Sequence, residues 1–130
     1  MSIITVSGAR YILRASVVYF AVCGISAIWL PVSWLWVSGL PTTVSNELAL
    51  TFGVIGAYML ALAVGAYIAS RDPVRHHSMT AMLATANLFD FFVTLRAVLQ
   101  GWLPALNGTA FLVIAVLWCT LLFLVCRVRE

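Results

Sequence analysis

The residues best able to do chemistry in this chain are one carboxylate and the polar groups around it. Asp90 stands in the middle of an apolar run, with Asn87 and Thr94 about one helical turn before and after it, on the same side of a helix. Tyr58, in the preceding apolar run, falls at a matching depth and is expected to donate a hydrogen bond to Asp90. An ionised carboxylate at the centre of a bilayer costs roughly 2.5 to 3.5 kcal/mol on insertion scales, so this acid should face other helices and find partners. Asp90, Asn87, Thr94 and Tyr58 therefore make a candidate intramembrane polar site, within an aromatic segment that includes Phe89, Phe91 and Phe92. Two uses stay open for it: structural polar packing, or a proton relay or ligand pocket.

The other reactive side chains point elsewhere. Glu47 and Arg96 fall toward the same end of their helices, and an ion pair between them would remove two isolated charges from a low-dielectric region. His76 and His77 are neighbours in a loop with only Asp72 close by, so no metal site is expected and lipid headgroups or solvent are their natural surroundings. Cys23, Cys119 and Cys126 lie in apolar runs without C-x-x-C spacing, and buried free cysteine behaves as a small hydrophobe. No serine–histidine–acid set, glycine-rich phosphate loop or haem-attachment motif occurs in the sequence. No catalytic residue and no intrinsic cofactor is therefore expected, although a bound lipid or quinone fits the Asp90 pocket.

These side chains are carried by four apolar runs, at residues 11–30, 47–69, 78–100 and 105–126. With 64% hydrophobic residues, 8% charged residues and a mean hydropathy of +1.09, water is not the main solvent of this chain. About 20 apolar residues cross the hydrocarbon core, so four crossings use nearly all of the 130 residues. The expected fold is a single all-α domain, an integral membrane four-helix bundle. Pro31 and the polar residues up to Asn46 break the chain after the first run, and Pro31 to Leu40 is apolar enough to lie along the membrane surface.

Orientation follows from the arginines, because basic segments resist translocation. Arg10, Arg14, Arg71, Arg75, Arg127 and Arg129 fall on one face of a four-crossing chain, and the loops at 31–46 and 101–108 have no lysine or arginine. Both termini are thus expected in the cytoplasm, as in a multi-pass protein of a bacterial inner membrane. A cleavable signal peptide is the rival reading of the first run, but cleavage would leave three helices and spoil the charge pattern. With no basic surface or nucleic-acid motif, nucleic acid is not an expected partner. Trp-Leu-Pro occurs at 29–31 and again at 102–104, each at the outer end of an odd-numbered helix, and Trp34 and Trp36 extend the same interfacial belt.

Gly53, Ala57, Ala61, Gly65 and Ala69 recur every four residues along the second run, a small-residue stripe that lets helices approach closely in lipid. It serves either packing inside the bundle or contact with another subunit. The chain also resembles the DoxX-like and BphX-like families of small bacterial four-helix membrane proteins. The resemblance is carried by Leu30-Pro31, Gly39-Leu40, the small-residue second helix, Arg71-Asp72-Pro73-Val74-Arg75, Asp90 and Gly101-Trp102-Leu103-Pro104. It implies an all-helical bundle found beside redox or aromatic-degradation machinery, with some relatives serving as membrane subunits of oxidoreductases that reduce quinone.

The leading expectation is a non-catalytic accessory or structural subunit of a larger, redox-associated inner-membrane complex, with membrane lipids and other membrane subunits as partners. The alternative is a binding or transport module whose pocket around Asp90 takes a quinone, a lipid or a proton. A third is an enzyme completed by another chain.

Overall fold

The computed structural model describes residues 4–128, which are all-helical. They form five helices: α1 Val6–Trp29, α2 Pro31–Val37, α3 Asn46–Arg71, α4 His77–Leu99 and α5 Ala105–Cys126. All but α2 are long and apolar enough to cross a membrane. Arg129, one of the six orienting arginines, lies outside the described residues.

Local chemistry sets the helix ends. Thr5 caps α1, its hydroxyl oxygen accepting from the Gly8 N–H at 3.1 Å, so the helix begins five residues before the apolar run expected at 11–30. Ser45 caps α3 in the same way through the Leu48 N–H at 3.2 Å, and Glu47 sits in the first turn, where a carboxylate suits the helix dipole. The turn after α3 is held by Asp72, whose Oδ1 accepts from the Arg75 N–H at 3.1 Å.

Two helices end in the same glycine device. After α2 the Leu40 N–H reaches back to the Leu35 carbonyl, and after α4 the Trp102 N–H reaches back to the Ala97 carbonyl, each at 2.9 Å. Both closures need a left-handed residue, supplied by Gly39 (φ 71°) and Gly101 (φ 69°). The stretch expected to be broken from Pro31 onward therefore begins with two turns of helix. Pro31 occupies the first helical position, where its missing N–H costs nothing, and it separates α2 from α1 rather than preventing it.

The long helices associate as two pairs, α1 on α3 and α4 on α5, with sparser contact between the pairs. In the first pair the backbones meet at Gly24 and Gly56. A Cβ on Gly56 would come within 2.6 Å of the Gly24 carbonyl oxygen, so only hydrogen fits there. In the second pair a Cβ on Gly108 would run into Val98. The pairs share one core near the chain termini and the turn after α3, where Leu13, Ala66, Leu83 and Leu122, one from each long helix, are fully buried. At the far end burial lies mainly within pairs. There the link between them is α2, whose Val37 carbonyl accepts from the Asn107 side chain of α5 at 2.8 Å.

Candidate functional site

The α4 polar residues divide by face. Asn87 is buried, its side-chain N–H donating to the Leu83 carbonyl one turn earlier at 2.9 Å, so its amide is partly satisfied within its own helix. Thr94 is half-buried. Asp90 is exposed, and among the described residues its carboxylate accepts no hydrogen bond and has no cation within ion-pair distance.

The groups in electrostatic reach of Asp90 are Tyr19 and Cys23, one turn apart on α1. Tyr19 and Asp90 each lie 13 residues from the start of their helix (19 − 6 and 90 − 77), so they stand at one level of the bundle. The Tyr19 ring packs against Trp118 of α5, centroids 5.1 Å apart and planes tilted by 37°. The Trp118 indole N–H is buried and finds no acceptor among the described residues. Tyr19 thus stands at the level of Asp90 and packs on Trp118, which lies nearer the level of Ala84, the α4 residue that its neighbour Cys119 contacts. A buried indole N–H without an acceptor is uncommon and needs an explanation.

Tyr58 does not join this group. It is 13 residues from the end of α3 (71 − 58), so its depth matches that of Asp90, but it is 70% exposed. At about 100° per residue it lies roughly 200° from Gly56, the position that meets α1, and so points away from the bundle. The phenol within electrostatic reach of Asp90 comes from α1 instead. The available signal was the Tyr19 and Cys23 pair, polar groups at i, i+4 in an apolar run and at the depth of the acid.

The expected ion pair between Glu47 and Arg96 is not formed. Arg96 donates from Nε to the Gln100 side-chain oxygen at 3.3 Å, and its guanidinium lies 5.6 Å from the centre of the Trp102 ring. Both partners lie within six residues on its own chain, while Glu47 stays exposed in the first turn of α3. The short-range contacts win because α3 and α4 make few contacts with each other.

The small-residue stripe is also divided. Gly65 and Ala69 are buried in the shared core, Ala57 and Ala61 are exposed, and a Cβ on Gly53 would meet nothing within 4 Å. A spacing of four residues advances about 400°, so each step drifts by about 40°, and the two ends of the stripe face roughly opposite ways. The close approach to α1 falls instead on Gly56, outside the stripe.

Cys119 is buried and its thiol donates to the Ala84 carbonyl at 3.7 Å, joining α5 to α4, and all three cysteines are free thiols. His77 Nδ1 lies 3.3 Å from the Val74 carbonyl, and among the described residues no three His, Cys, Asp or Glu side chains are placed to share a metal ion. An apolar groove along the outside of α5 is lined by Leu112, Val113, Val116 and Leu117 between Thr109 and Thr120, and neither Asp90, Tyr19 nor Trp118 lines it. No family model matches this chain, and neither a curated protein nor a solved structure matches it.

Proposed function

We propose that the chain is a four-span protein of a bacterial inner membrane, with both termini in the cytoplasm, and that it binds a membrane-dissolved molecule at the level of Asp90. The observation that carries the reading is the unmet need of one carboxylate. Among the described residues the mid-helix carboxylate of Asp90 accepts no hydrogen bond and has no cation beside it. In hydrocarbon that deficit is costly, and a ligand head group that offers a hydrogen-bond donor to Asp90 answers it. The hydroxyl of a quinone in its reduced, quinol form, or the hydroxyl or ammonium of a lipid head group, has the necessary chemistry.

The test uses the purified protein in lipid discs made from total membrane extract, with bound small molecules identified by native mass spectrometry. Wild type should retain a ligand and Asp90→Asn should lose it. Equal retention by the two proteins refutes the site.

A second reading is favoured by Ala57 and Ala61, exposed on α3, and by Gly53, where a Cβ would meet nothing within 4 Å. On it the chain is an accessory subunit of a larger membrane complex, and the DoxX-like and BphX-like resemblance supports a redox-associated one. Gentle-detergent purification should bring down a membrane partner, and Ala57→Trp should release it. Recovery of the wild type only as a lone monomer counts against this reading.

A further inference from the structure

The end of the molecule that holds the α3–α4 turn carries an unbalanced positive surface. Arg10 and Arg14 on α1, Arg71 at the end of α3, Arg75 in the turn and Arg127 after α5 are all exposed there. The one carboxylate at that end among the described residues is Asp72, and its Oδ1 is engaged by the Arg75 backbone N–H. None of these five guanidiniums is in an ion pair with a described residue.

Their level matters as much as their number. The long helices have 22 to 26 residues, so at 1.5 Å per residue they measure about 33 to 39 Å, longer than the ~30 Å hydrocarbon core, and their ends reach the headgroup layer. Arg71 is held in place at that layer. It donates to the Tyr67 hydroxyl at 2.6 Å, and its guanidinium carbon lies 4.9 Å from the Tyr67 ring centroid. An arginine fixed in this way loses less side-chain freedom on taking up a ligand, and most of its N–H donors are left for one. A guanidinium presents parallel N–H groups that match two phosphate oxygens.

We infer that this end binds the phosphates of anionic phospholipids through Arg10 with Arg14 and Arg71 with Arg75. The inference rests on the membrane reading above but not on the Asp90 site. Charge complementarity selects the lipid: among the described residues this surface has four more positive than negative groups, five arginines against Asp72, and phosphatidylglycerol offers a net negative headgroup where phosphatidylcholine offers none.

The experiment places the full chain in phosphatidylcholine discs doped with phosphatidylglycerol and measures lipids retained after release into the gas phase. Phosphatidylglycerol should be enriched over its share of the disc. Arg10→Gln/Arg14→Gln and Arg71→Gln/Arg75→Gln should each weaken the enrichment, on the order of fivefold per arginine removed. The matching Arg→Lys pairs, which preserve charge and insertion, should keep part of it. Added inorganic phosphate should not displace the lipid. Undiminished enrichment in both Gln variants overturns the inference, as does displacement by phosphate, which would mark a site for the free anion. A wild type that enters the discs but shows no enrichment overturns the inference alone, whereas one that fails to enter them overturns the membrane reading as well.

Discussion

Gly53 and Gly56 are one turn apart on α3, and replacing each by alanine should change stability in opposite directions. At Gly56 the new Cβ would sit 2.6 Å from the Gly24 carbonyl oxygen, and ordinary contact begins at 3.4 Å, so α1 and α3 must part by about 0.8 Å. A gap of 0.5 to 1 Å forfeits a quarter to a half of each van der Waals contact across the crossing; at ~0.1 to 0.2 kcal/mol per atom pair and roughly 50 pairs, the loss is about 3 kcal/mol. This agrees with the 1 to 3 kcal/mol typical of overpacked sites. At Gly53 the Cβ meets nothing within 4 Å, and the substitution recovers about 0.8 to 1 kcal/mol of helix propensity. Reversible unfolding of detergent-solubilised protein by a denaturing detergent, followed by circular dichroism, should place Gly56→Ala below wild type and Gly53→Ala at or above it. Equal shifts of the same sign would refute the Gly24/Gly56 crossing.

Trp118 separates ring packing from its polar tip. Trp118→Phe removes an N–H that has no acceptor among the described residues and should leave stability unchanged or raise it by about 1 kcal/mol, whereas Trp118→Ala also empties the space beside Tyr19 and should cost about 3 to 5 kcal/mol by the same unfolding assay. Glu47 and Arg96 should behave independently. The effects of Glu47→Gln and Arg96→Gln should add within about 0.5 kcal/mol in a double-mutant cycle, and a larger coupling would mean that the two charges meet.

Helix content was legible in the sequence because hydropathy and length report it directly. The run at 105–126 coincides with α5, and those at 47–69 and 78–100 differ from α3 and α4 by one or two residues at each end. The start of α1 was missed because Thr5 caps a first turn that contains Gly8 and Arg10, residues that dilute an apolar signal without opposing a helix. Helix α2 was missed because proline at a first position looks the same in sequence as proline that breaks a helix. Depth along each helix was also legible, as Tyr58 and Asp90 show by sharing a level. Rotation about the axis was not. A repeat of four residues resembles a face but drifts, and which side of α3 meets α1 was decided by the fit of Gly56 against Gly24, a pairing between helices that no pattern within one helix encodes. The environment of Asp90 was misjudged for the same reason, since its neighbour Tyr19 belongs to a helix more than sixty residues earlier in the chain.

The hydrogen bond from Asn107 to Val37 joins residues 70 positions apart, and it has a consequence for the order of assembly. The Gly24/Gly56 crossing lies wholly within the first 71 residues, so α1 and α3 can settle against each other while the second pair is still being made. The far-end bond can close only after residue 107 has emerged and α5 has begun to take its place beside α4. On a ribosome adding residues from the N-terminus, α2 waits with its last carbonyl unclaimed until the second hairpin arrives. The bond is then a latch that can close only late, across the far ends of the two pairs.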